Sequence, residues 1–339
     1  MAEGAAPILS VRNLKTYFHQ DEGVVRAVDG ASFDLHPGQT LGIVGESGCG
    51  KSVTARSILQ IVERPGRIES GEIWLQRGHD NGHADPIDLT TLDPGSQEMR
   101  AIRGGEIALI FQEPMTSFSA FHTVGNQIVE AIRLHSDLGR RAARQRAIEL
   151  LHMVGIPRPE RRIDEYSFEL SGGLRQRVMI AMALSSGPRI LIADEPTTAL
   201  DVTTQAQILD LLRQLQEEQD LAVILITHDM GVIAEMADDV VVMYLGREVE
   251  KGSVDEIFHT PKHPYTKALL RSIPSILAPP RTKLATIAGS IPHPYDRPAG
   301  CPFHPRCPEF MPGTCDQAAP SLLPQGHARE VGCFLYGGR

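Results

Sequence analysis

The segment with the clearest chemistry is the glycine-rich run at residues 45–52, which fits the pattern G-x-x-x-x-G-K-[ST] at every position. Glycines let the backbone curl so that successive N–H groups point at phosphate oxygens. Lys51 can bring a positive charge to the β- and γ-phosphates, and the Ser52 hydroxyl can bind Mg²⁺. The run therefore predicts a site for a nucleoside triphosphate and Mg²⁺, made of Gly45, Glu46, Ser47, Gly48, Cys49, Gly50, Lys51, Ser52 and Val53.

Two carboxylates and a histidine follow apolar runs further along the chain. Asp194 and Glu195 come directly after the run 189–193, and His228 follows the run 222–226. A strand that ends in Asp194 can deliver a carboxylate to Mg²⁺, and Glu195 can act as the general base for an attacking water. Open α/β sheets bind ligands at the carboxyl ends of their strands, which predicts a ligand contact for His228 as well.

Alternating strands and helices are needed to position these residues. The apolar run at residues 40–44 predicts a strand before the glycine-rich run, and residues 53–62 are compatible with a helix after it. Residues 124–155 have helical spacing. Further buried strands are predicted at residues 107–111, 189–193, 222–226 and 240–243. This alternation predicts an α/β fold with a parallel sheet.

The N-terminal residues predict two short alternating strands, at residues 8–12 and 31–35, with a turn at 15–26 between them. Phe18 lies in this turn, upstream of the glycine-rich run. An aromatic ring at this place can stack on a nucleotide base. Packing of the ring on a strand is the alternative, and the residue pattern leaves both open.

Composition limits the class of protein. The length of 339 residues suits two domains, and 42 % hydrophobic with 22 % charged residues is typical of a soluble globular protein. The net charge of −9 argues against a dedicated nucleic-acid binder, which usually has a basic excess. No run approaches the ~20 apolar residues of a membrane span, and the N-terminal residues do not resemble a secretory signal. We therefore expect a cytoplasmic protein with reduced cysteines.

The order of several motifs resembles that of the ATP-binding-cassette (ABC) ATPases. Residues 170–177 are similar to the signature motif of that family, Gln112 to its Q-loop, Asp201 to its D-loop and His228 to its switch histidine. The resemblance covers residues 8 to about 258. Chance agreement of so many motifs in one order is negligible.

The resemblance implies a fold and a domain organisation. The fold would be a P-loop NTPase cassette, in which a RecA-like core with a parallel sheet carries an antiparallel β subdomain and a helical subdomain at about residues 115–170. The nucleotide-binding domain would cover residues 1–258. Residues 259–339 would form a small C-terminal domain that contains four cysteines.

The resemblance also implies roles for individual residues. Gln112 and Asp194 would help Ser52 to hold Mg²⁺, Glu195 would be the general base, and His228 would contact the γ-phosphate and sense its loss. Lys51 completes the implied catalytic set.

Further residues would act across a dimer interface. Ser171, Gly172 and Gly173 would bind the γ-phosphate of ATP held by an opposing subunit, and Asp201 would reach across the same interface. Leu174 stands where the commonest signature motif has Gln, a difference expected to have little effect on hydrolysis because it follows the glycines.

The four C-terminal cysteines predict a structural group. Cys301, Cys307, Cys315 and Cys333 are separated by five, seven and seventeen residues. Four thiolates can bind a [4Fe–4S] cluster or a tetrahedral zinc ion, and free thiols are the third possibility. Zinc sites usually contain a C-x₂₋₄-C pair, which this set lacks, so the spacing disfavours zinc. The block from Cys301 to Cys333 resembles the ATPases of oligopeptide, dipeptide and nickel importers, some of which carry a [4Fe–4S] cluster on this cysteine pattern, so the resemblance implies a cluster here. Cys49 lies apart, in the glycine-rich run, where thiol reagents are a possible probe.

Residues 263–270 and the block from Cys301 to Cys333 resemble the ATPases of oligopeptide, dipeptide and nickel importers. This resemblance implies an ATP-hydrolysing subunit on the cytoplasmic face of the inner membrane that powers import of peptides or peptide-like solutes. Its partners would be a second, related ABC ATPase in a heterodimer, two transmembrane permease subunits and an extracytoplasmic binding protein, with no nucleic acid. The permeases would contact the surface near Gln112 and residues 113–125.

Two alternatives remain for the function. One is the same ATPase role in an oligosaccharide, opine or nickel importer, because this subunit does not touch the solute. The other is a non-transport ABC ATPase that serves translation or DNA repair. Neither a second cassette nor a coiled-coil insert is present in the sequence, which weighs against the second alternative.

Overall fold

The computed structural model describes residues 6–77, 85–113, 117–273, 286–326 and 328–337. The chain divides into two compact units. The first, here the P-loop unit, consists of Met1–His36, Thr40–Thr91 and Thr227–Arg339. The second, here the helical unit, consists of Pro37–Gln39 and Leu92–Ile226.

Strands and helices alternate along most of the described residues. The strands are β1 (Leu9–Gln20), β2 (Gly23–Leu35), β3 (Thr40–Val44), β4 (Gly66–Leu75), β5 (Ile87–Asp88), β6 (Ile107–Ile110), β7 (Ile190–Asp194), β8 (Ala222–Thr227), β9 (Asp239–Tyr244), β10 (Arg247–Ser253), β11 (Leu323–Pro324) and β12 (Glu330–Val331). The helices are α1 (Lys51–Ile58), α2 (Gln97–Gly105), α3 (Val124–Leu134), α4 (Arg140–Met153), α5 (Pro159–Arg162), α6 (Gly172–Ala183), α7 (Val202–Gln219), α8 (Met230–Met236), α9 (Val254–His259) and α10 (Pro264–Arg271). No helix within these ranges is long and apolar enough to cross a membrane.

An antiparallel sheet forms one part of the P-loop unit, with the strand order β2-β1-β4-β5. β1 and β2 make one long hairpin, in which Leu9 lies opposite Leu35 and Gln20 lies opposite Gly23. The turn predicted at residues 15–26 is therefore wrong, because pairing continues to Gln20 and Gly23, and only Asp21 and Glu22 lie in the turn between them. The outer half of the hairpin buries few side chains, so it lacks the apolar alternation that marks a strand in the sequence.

A second group of strands in the P-loop unit has the order β11-β12-β10-β9-β3. β3 pairs in parallel with β9, and Val44 lies opposite Val242. All five residues of β3 are buried. A parallel strand that is covered on both faces has this continuous apolar pattern, which explains why its position was predictable from sequence.

The helical unit contains the parallel strands β6, β7 and β8, in the order β8-β7-β6. Ile190 of β7 lies opposite Ile107 of β6 and Ala222 of β8. Every residue of β7 and β8 is buried. The strands predicted at residues 107–111, 189–193 and 222–226 are thus present to within one residue at each end, and α3 and α4 occupy the predicted helical region at 124–155.

The structure does not support the separate C-terminal domain that the sequence predicts at residues 259–339. The described residues beyond 259 belong to the P-loop unit, where β12 pairs with β10 and Val331 lies opposite Glu250. Tyr265, Phe303 and Val331 are fully buried in this unit. A segment that shares its core with the rest of a unit in this way does not fold around a core of its own.

A buried carboxyl group lies between two strands of the P-loop unit. Glu248 on β10 accepts a hydrogen bond from the Ser32 N–H of β2 through Oε1, at 2.7 Å. Its Oε2 is buried and has no hydrogen-bond partner among the described residues. Burial raises the pKa of Glu248 to about 7, because the charged form loses its hydration.

This raised pKa makes the stability of the protein depend on pH. The folded chain binds the Glu248 proton more tightly than the unfolded chain, so its contribution is complete below about pH 4.5 and is lost as the pH rises through about 7. We expect Glu248→Gln to remove this part of the pH dependence and to raise the free energy of unfolding at pH 8 by on the order of 2 kcal/mol.

Urea unfolding of both proteins at pH 5 and pH 8 measures the effect. The exposed Glu63, whose side chain is 83 % accessible, supplies the control Glu63→Gln, which should change the pH dependence little. An equal pH dependence in wild type and Glu248→Gln would contradict the prediction.

Candidate active site

The glycine-rich loop in the P-loop unit leads directly into α1, as the sequence predicts. Gly50 has φ 104°, and a Cβ at this position would lie 2.1 Å from the Ala27 carbonyl oxygen. A Cβ at Gly45 would lie 2.3 Å from the Met243 carbonyl oxygen. Both approaches exclude any side chain, so these two glycines are required by the close contact of the loop backbone with neighbouring backbone.

Lys51 is the first residue of α1 and is buried. Its Nζ donates hydrogen bonds to the carbonyl oxygens of Gly45, at 2.8 Å, and Glu46, at 3.2 Å. The ammonium group therefore lies across the loop that precedes it. Ser52 and Val53 follow in the first turn of α1, where the N-terminal end of a helix favours anions. The arrangement suits the binding of phosphate groups.

Cys49 is buried inside this loop, and its Sγ lies 3.8 Å from Lys51 Nζ. Burial raises the pKa of the Cys49 thiol, despite the nearby ammonium group. A buried thiol with a raised pKa reacts slowly, because the thiolate is the nucleophile and reagents must reach it. The structure thus disfavours modification of Cys49 by thiol reagents.

Phe18 lies on β1 rather than in a turn, opposite Val25 and Gly66. A Cβ at Gly66 would lie 2.6 Å from the Phe18 ring, so the ring packs against the backbone of β4. The neighbouring Tyr17 points to the other face of the sheet and donates a hydrogen bond to Asp29 at 2.6 Å. Packing on a strand, the alternative considered from the sequence, is therefore observed, and stacking on a base stays a prediction.

His228 comes directly after β8, belongs to the P-loop unit and is exposed. The next residue, Asp229, caps α8 by accepting a hydrogen bond from the Gly231 N–H at 2.8 Å. The cap fixes the direction in which the chain leaves the strand, and thereby the backbone position of His228.

In the helical unit, the two predicted carboxylates lie at the end of β7. Asp194 is the last residue of the strand and is buried. Glu195 is 8 % exposed and has φ 49°, a left-handed conformation that is unfavourable for a side chain of this kind. Its N–H donates to the Ile226 carbonyl oxygen at 2.8 Å. Strained backbone of this sort is concentrated at functional sites, where the surrounding structure enforces it.

Two donors hold the carboxylate of Glu195. Thr198 Oγ1 donates to Oε2 at 2.8 Å, and Gln112 Nε2 donates to the same oxygen at 3.2 Å. The structure thus brings Gln112 and Glu195 together, and the role of Gln112 towards Mg²⁺ stays a prediction. Thr198 was missed in the sequence analysis, although a hydroxyl three residues after a carboxylate is a recognisable local pattern.

The residues of the signature motif lie at the N-terminus of α6. Ser171 is the N-cap and accepts a hydrogen bond from the Leu174 N–H at 3.4 Å. A Cβ at Gly173 would lie 2.6 Å from the Thr204 side chain, so the first turn of α6 contacts the first turn of α7. A Cβ at Gly172 would lie 3.7 Å from the side chain of Leu200, which precedes α7. Both Ser171 and Gly172 are exposed.

Asp201 caps the neighbouring helix α7. Its carboxylate accepts hydrogen bonds from the Thr204 N–H at 3.0 Å and from the Thr204 hydroxyl at 2.6 Å. These hydrogen bonds lower the pKa of Asp201. Asp201 therefore has a local structural role that the sequence analysis did not assign, and its role towards a second subunit stays a prediction.

The C-terminal cysteines require a correction. All five cysteines of the chain are free thiols. Burial raises the pKa of Cys301 and Cys307 to about 11 and also raises the pKa of Cys333. Among the residues that the structure describes, no group of three or more His, Cys, Asp or Glu side chains could hold a metal ion. The predicted [4Fe–4S] cluster at Cys301, Cys307, Cys315 and Cys333 is contradicted by this finding, and the zinc alternative is also unsupported.

The two hydrogen bonds at Glu195 give a testable prediction. Thr198→Val removes the shorter one with little change in shape and leaves the carboxylate less well oriented. Loss of a hydrogen bond to a charged group costs about 1.5 kcal/mol or more, so kcat for ATP hydrolysis should fall about tenfold with little change in KM. Steady-state kinetics of the purified protein measure both constants.

Thr198→Ser is the matched control, because it keeps the hydroxyl that donates to Glu195 Oε2. We expect this variant to retain a kcat within about threefold of wild type, since the hydrogen bond remains available. Wild-type turnover in Thr198→Val would remove Thr198 from this role.

Solved structures are similar to this chain in fold. The dimeric bacterial ABC transporter cassette MJ0796 is 27 % identical, with a TM-score of 0.62 over 73 % of this chain and 98 % of that chain. The cassette cbiO1 from Clostridium perfringens, part of the complex cbiONQ, is 28 % identical with a TM-score of 0.60, over 75 % of this chain and 91 % of that chain. These similarities and the mixed sheets confirm the P-loop NTPase fold of an ABC cassette.

Family models and curated relatives extend the similarity to nearly the whole chain. Residues 28–198 match the family described as ABC transporter, and residues 249–315 match the one described as oligopeptide/dipeptide transporter, C-terminal region. The oligopeptide transport ATP-binding protein AppD of Bacillus subtilis is 48 % identical over 330 residues, 97 % of each chain. The dipeptide transport ATP-binding protein DppD of Escherichia coli is 45 % identical over 326 residues, 96 % of each chain. The P-loop, the signature motif and the C-terminal region thus place this chain in the ABC transporter family.

Proposed function

We propose that this protein is the ATP-binding subunit of an importer and hydrolyses ATP to power the uptake of peptides. The observation that carries the proposal is the strained and doubly hydrogen-bonded Glu195, in a chain that also has a complete phosphate-binding loop with Lys51 across it. A non-catalytic nucleotide-binding protein has no need for a carboxylate held in this way. The relatives named above are described as oligopeptide and dipeptide transport ATP-binding proteins, which supports peptides as the solute.

In the proposed hydrolysis of ATP, Lys51, Glu195 and His228 each have a distinct role. Backbone N–H groups of the loop and the ammonium of Lys51 bind the phosphates. Glu195 accepts a proton from water as the water oxygen bonds to the γ-phosphorus, and the bond from that phosphorus to the β,γ-bridging oxygen breaks to give ADP and phosphate. His228 contacts the γ-phosphate and responds to its release.

The oxygen donors of Ser52, Asp194 and Gln112 are the ligand type that Mg²⁺ prefers. On this chemistry we propose all three as Mg²⁺ ligands; Asp194 is the buried last residue of β7, and Ser52 lies in the first turn of α1. When bound there, Mg²⁺ would neutralise negative charge on the phosphates.

A second ATPase subunit belongs to the proposal. Ser171, Gly172 and Asp201 are exposed at the N-termini of α6 and α7. This exposure supports the proposal that they act on ATP bound by a partner subunit. We propose a heterodimer of two related ATPase chains, closed by ATP and opened by its hydrolysis.

Two permease subunits and an extracytoplasmic binding protein complete the proposed importer. This protein would lie on the cytoplasmic face of the membrane. There the permeases would contact its surface near Gln112 and residues 113–125. Of this segment, residues 114–116 lie outside the described residues. Phe121, which lies in this segment, is 90 % exposed.

Replacement of the proposed base tests the catalytic mechanism. Glu195→Gln keeps the shape of the side chain but removes its basicity, so kcat should fall by at least about a hundredfold while ATP remains bound in a closed dimer. The measurement is phosphate release, together with retention of labelled ATP after gel filtration. Glu217→Gln, at an exposed position on α7, is the control and should hydrolyse ATP at the wild-type rate. Turnover of Glu195→Gln within a few-fold of wild type would remove Glu195 from the assigned role.

The solute is tested through the binding protein of the same system. The complex is purified from native membranes in mild detergent, and the binding protein encoded or retained with it is screened by thermal unfolding. Peptides at a hundred times their Kd should add about 2–3 kcal/mol of apparent stability. Stabilisation by a sugar, an opine or nickel instead would keep the ATPase mechanism and overturn peptide import. Absence of any co-purifying membrane subunit would count against transport.

A further inference from the structure

The C-terminal segment contacts the phosphate-binding loop directly, through one arginine. The guanidinium of Arg306 donates two hydrogen bonds to the carboxylate of Glu46, at 2.7 and 3.0 Å. Its Nε donates to the Ala288 carbonyl oxygen at 3.0 Å. The Arg306 side chain is 4 % exposed and that of Glu46 is 23 % exposed. A bidentate pair of this geometry, largely withdrawn from water, is among the stronger and more directional ion pairs in proteins.

The backbone of Glu46 is held from a second place in the same unit. Its N–H donates to the hydroxyl of Tyr265, at 2.9 Å, and Tyr265 is fully buried on α10. Tyr244 lies against Tyr265, with ring centroids 4.7 Å apart, and its hydroxyl accepts a hydrogen bond from Arg306 at 3.2 Å. Phe303 packs on both tyrosines with centroid distances of 5.3 Å. Glu46 is thus fixed at its backbone by one buried side chain and at its carboxylate by another.

The charge of Glu46 would oppose nucleotide binding if it were not paired. Glu46 is the second residue of the loop that receives the phosphates, and a carboxylate there repels a triphosphate. Arg306 neutralises this charge from the side of the C-terminal segment. Burial by itself lowers the pKa of Arg306, but the bonds to Glu46 and Tyr244 more than compensate and raise it overall, so the guanidinium stays charged.

We propose that Arg306 is a positioning residue for ATP binding, which holds and neutralises Glu46 so that the loop accepts the phosphates. The affinity of the protein for ATP then depends on the folded state of its C-terminal segment. This inference rests on the ATP site of the proposed function but requires neither hydrolysis nor a transported solute.

The test is the Kd for ATP of the full-length chain with Mg²⁺, measured by competition with a fluorescent ATP analogue. Arg306→Gln leaves the Glu46 carboxylate unpaired, so ATP should bind about tenfold more weakly. Glu46→Gln/Arg306→Gln has the same loss at position 306 but no unpaired charge, so its Kd should return to within about threefold of wild type. Arg306→Lys keeps the charge and should bind ATP more tightly than Arg306→Gln.

Arg329 provides a matched control in the same segment. It is 3 % exposed, and its guanidinium donates to the Thr260 carbonyl oxygen at 2.8 Å and to that of Glu256. Arg329→Gln should therefore lower the thermal stability of the protein without changing the Kd of the folded fraction.

Two results would overturn the inference. They are an unchanged Kd in Arg306→Gln, and a double variant that binds ATP as weakly as Arg306→Gln. If Arg306→Gln does not fold, the comparison of the double variant and Arg306→Lys with wild type decides, and a tenfold loss in both would contradict the proposal. Failure of the wild-type chain itself to bind ATP would overturn the proposed function together with this inference, whereas the two results above leave the proposed function intact.

Discussion

The phosphate-binding loop depends on direct contact between backbone segments that have no room for side chains. Gly50 approaches the carbonyl of Ala27 on β2, and Gly45 approaches the carbonyl of Met243 on β9. The loop is therefore formed only when the hairpin β1–β2 and the strand β9 are in place around it. The same contacts set the positions of α1 and Lys51, because the helix begins directly after Gly50, the last glycine of the loop.

A second set of contacts joins the C-terminal residues to this loop. Burial lowers the pKa of His263 to about 3, so its ring is neutral, and Nδ1 accepts the Tyr265 N–H at 3.0 Å at the start of α10. The backbone N–H of His263 in turn donates to the carboxylate of Glu250 on β10 at 2.9 Å. Since Tyr265 also bonds to Glu46, a continuous chain of buried hydrogen bonds runs from β10 to the phosphate-binding loop. Buried networks of this kind rigidify the groups they connect.

In the helical unit, backbone conformation and hydrogen bonds orient Glu195, the proposed general base. Parallel strands bring Asp194 and Glu195 to a common end of the sheet, but the orientation of Glu195 follows from its left-handed backbone and from two donors on other parts of the chain. The α6 and α7 N-termini are fixed by side-chain caps at Ser171 and Asp201. Preorganised hydrogen bonds and capped helix ends cost no rearrangement when a reaction begins, which is why such features accompany catalysis.

The sequence by itself determined the features that local residue patterns encode. The glycine-rich loop, the buried strands and the carboxylates after β7 follow from short-range rules on backbone freedom and apolar periodicity. The outer half of the β1–β2 hairpin escaped these rules, because strand pairing there is stabilised by backbone hydrogen bonds and not by buried alternation.

Only the tertiary structure decided which distant residues meet. Arg306 and Glu46 are 260 positions apart, and no local pattern marks either as a partner of the other. The cysteines show the opposite case, because their spacing suggested a metal cluster while the described residues include no group of three or more His, Cys, Asp or Glu side chains that could hold a metal ion. Burial and long-range pairing arise from packing of the whole unit, so the charge states and contacts that depend on them exist only in the folded protein.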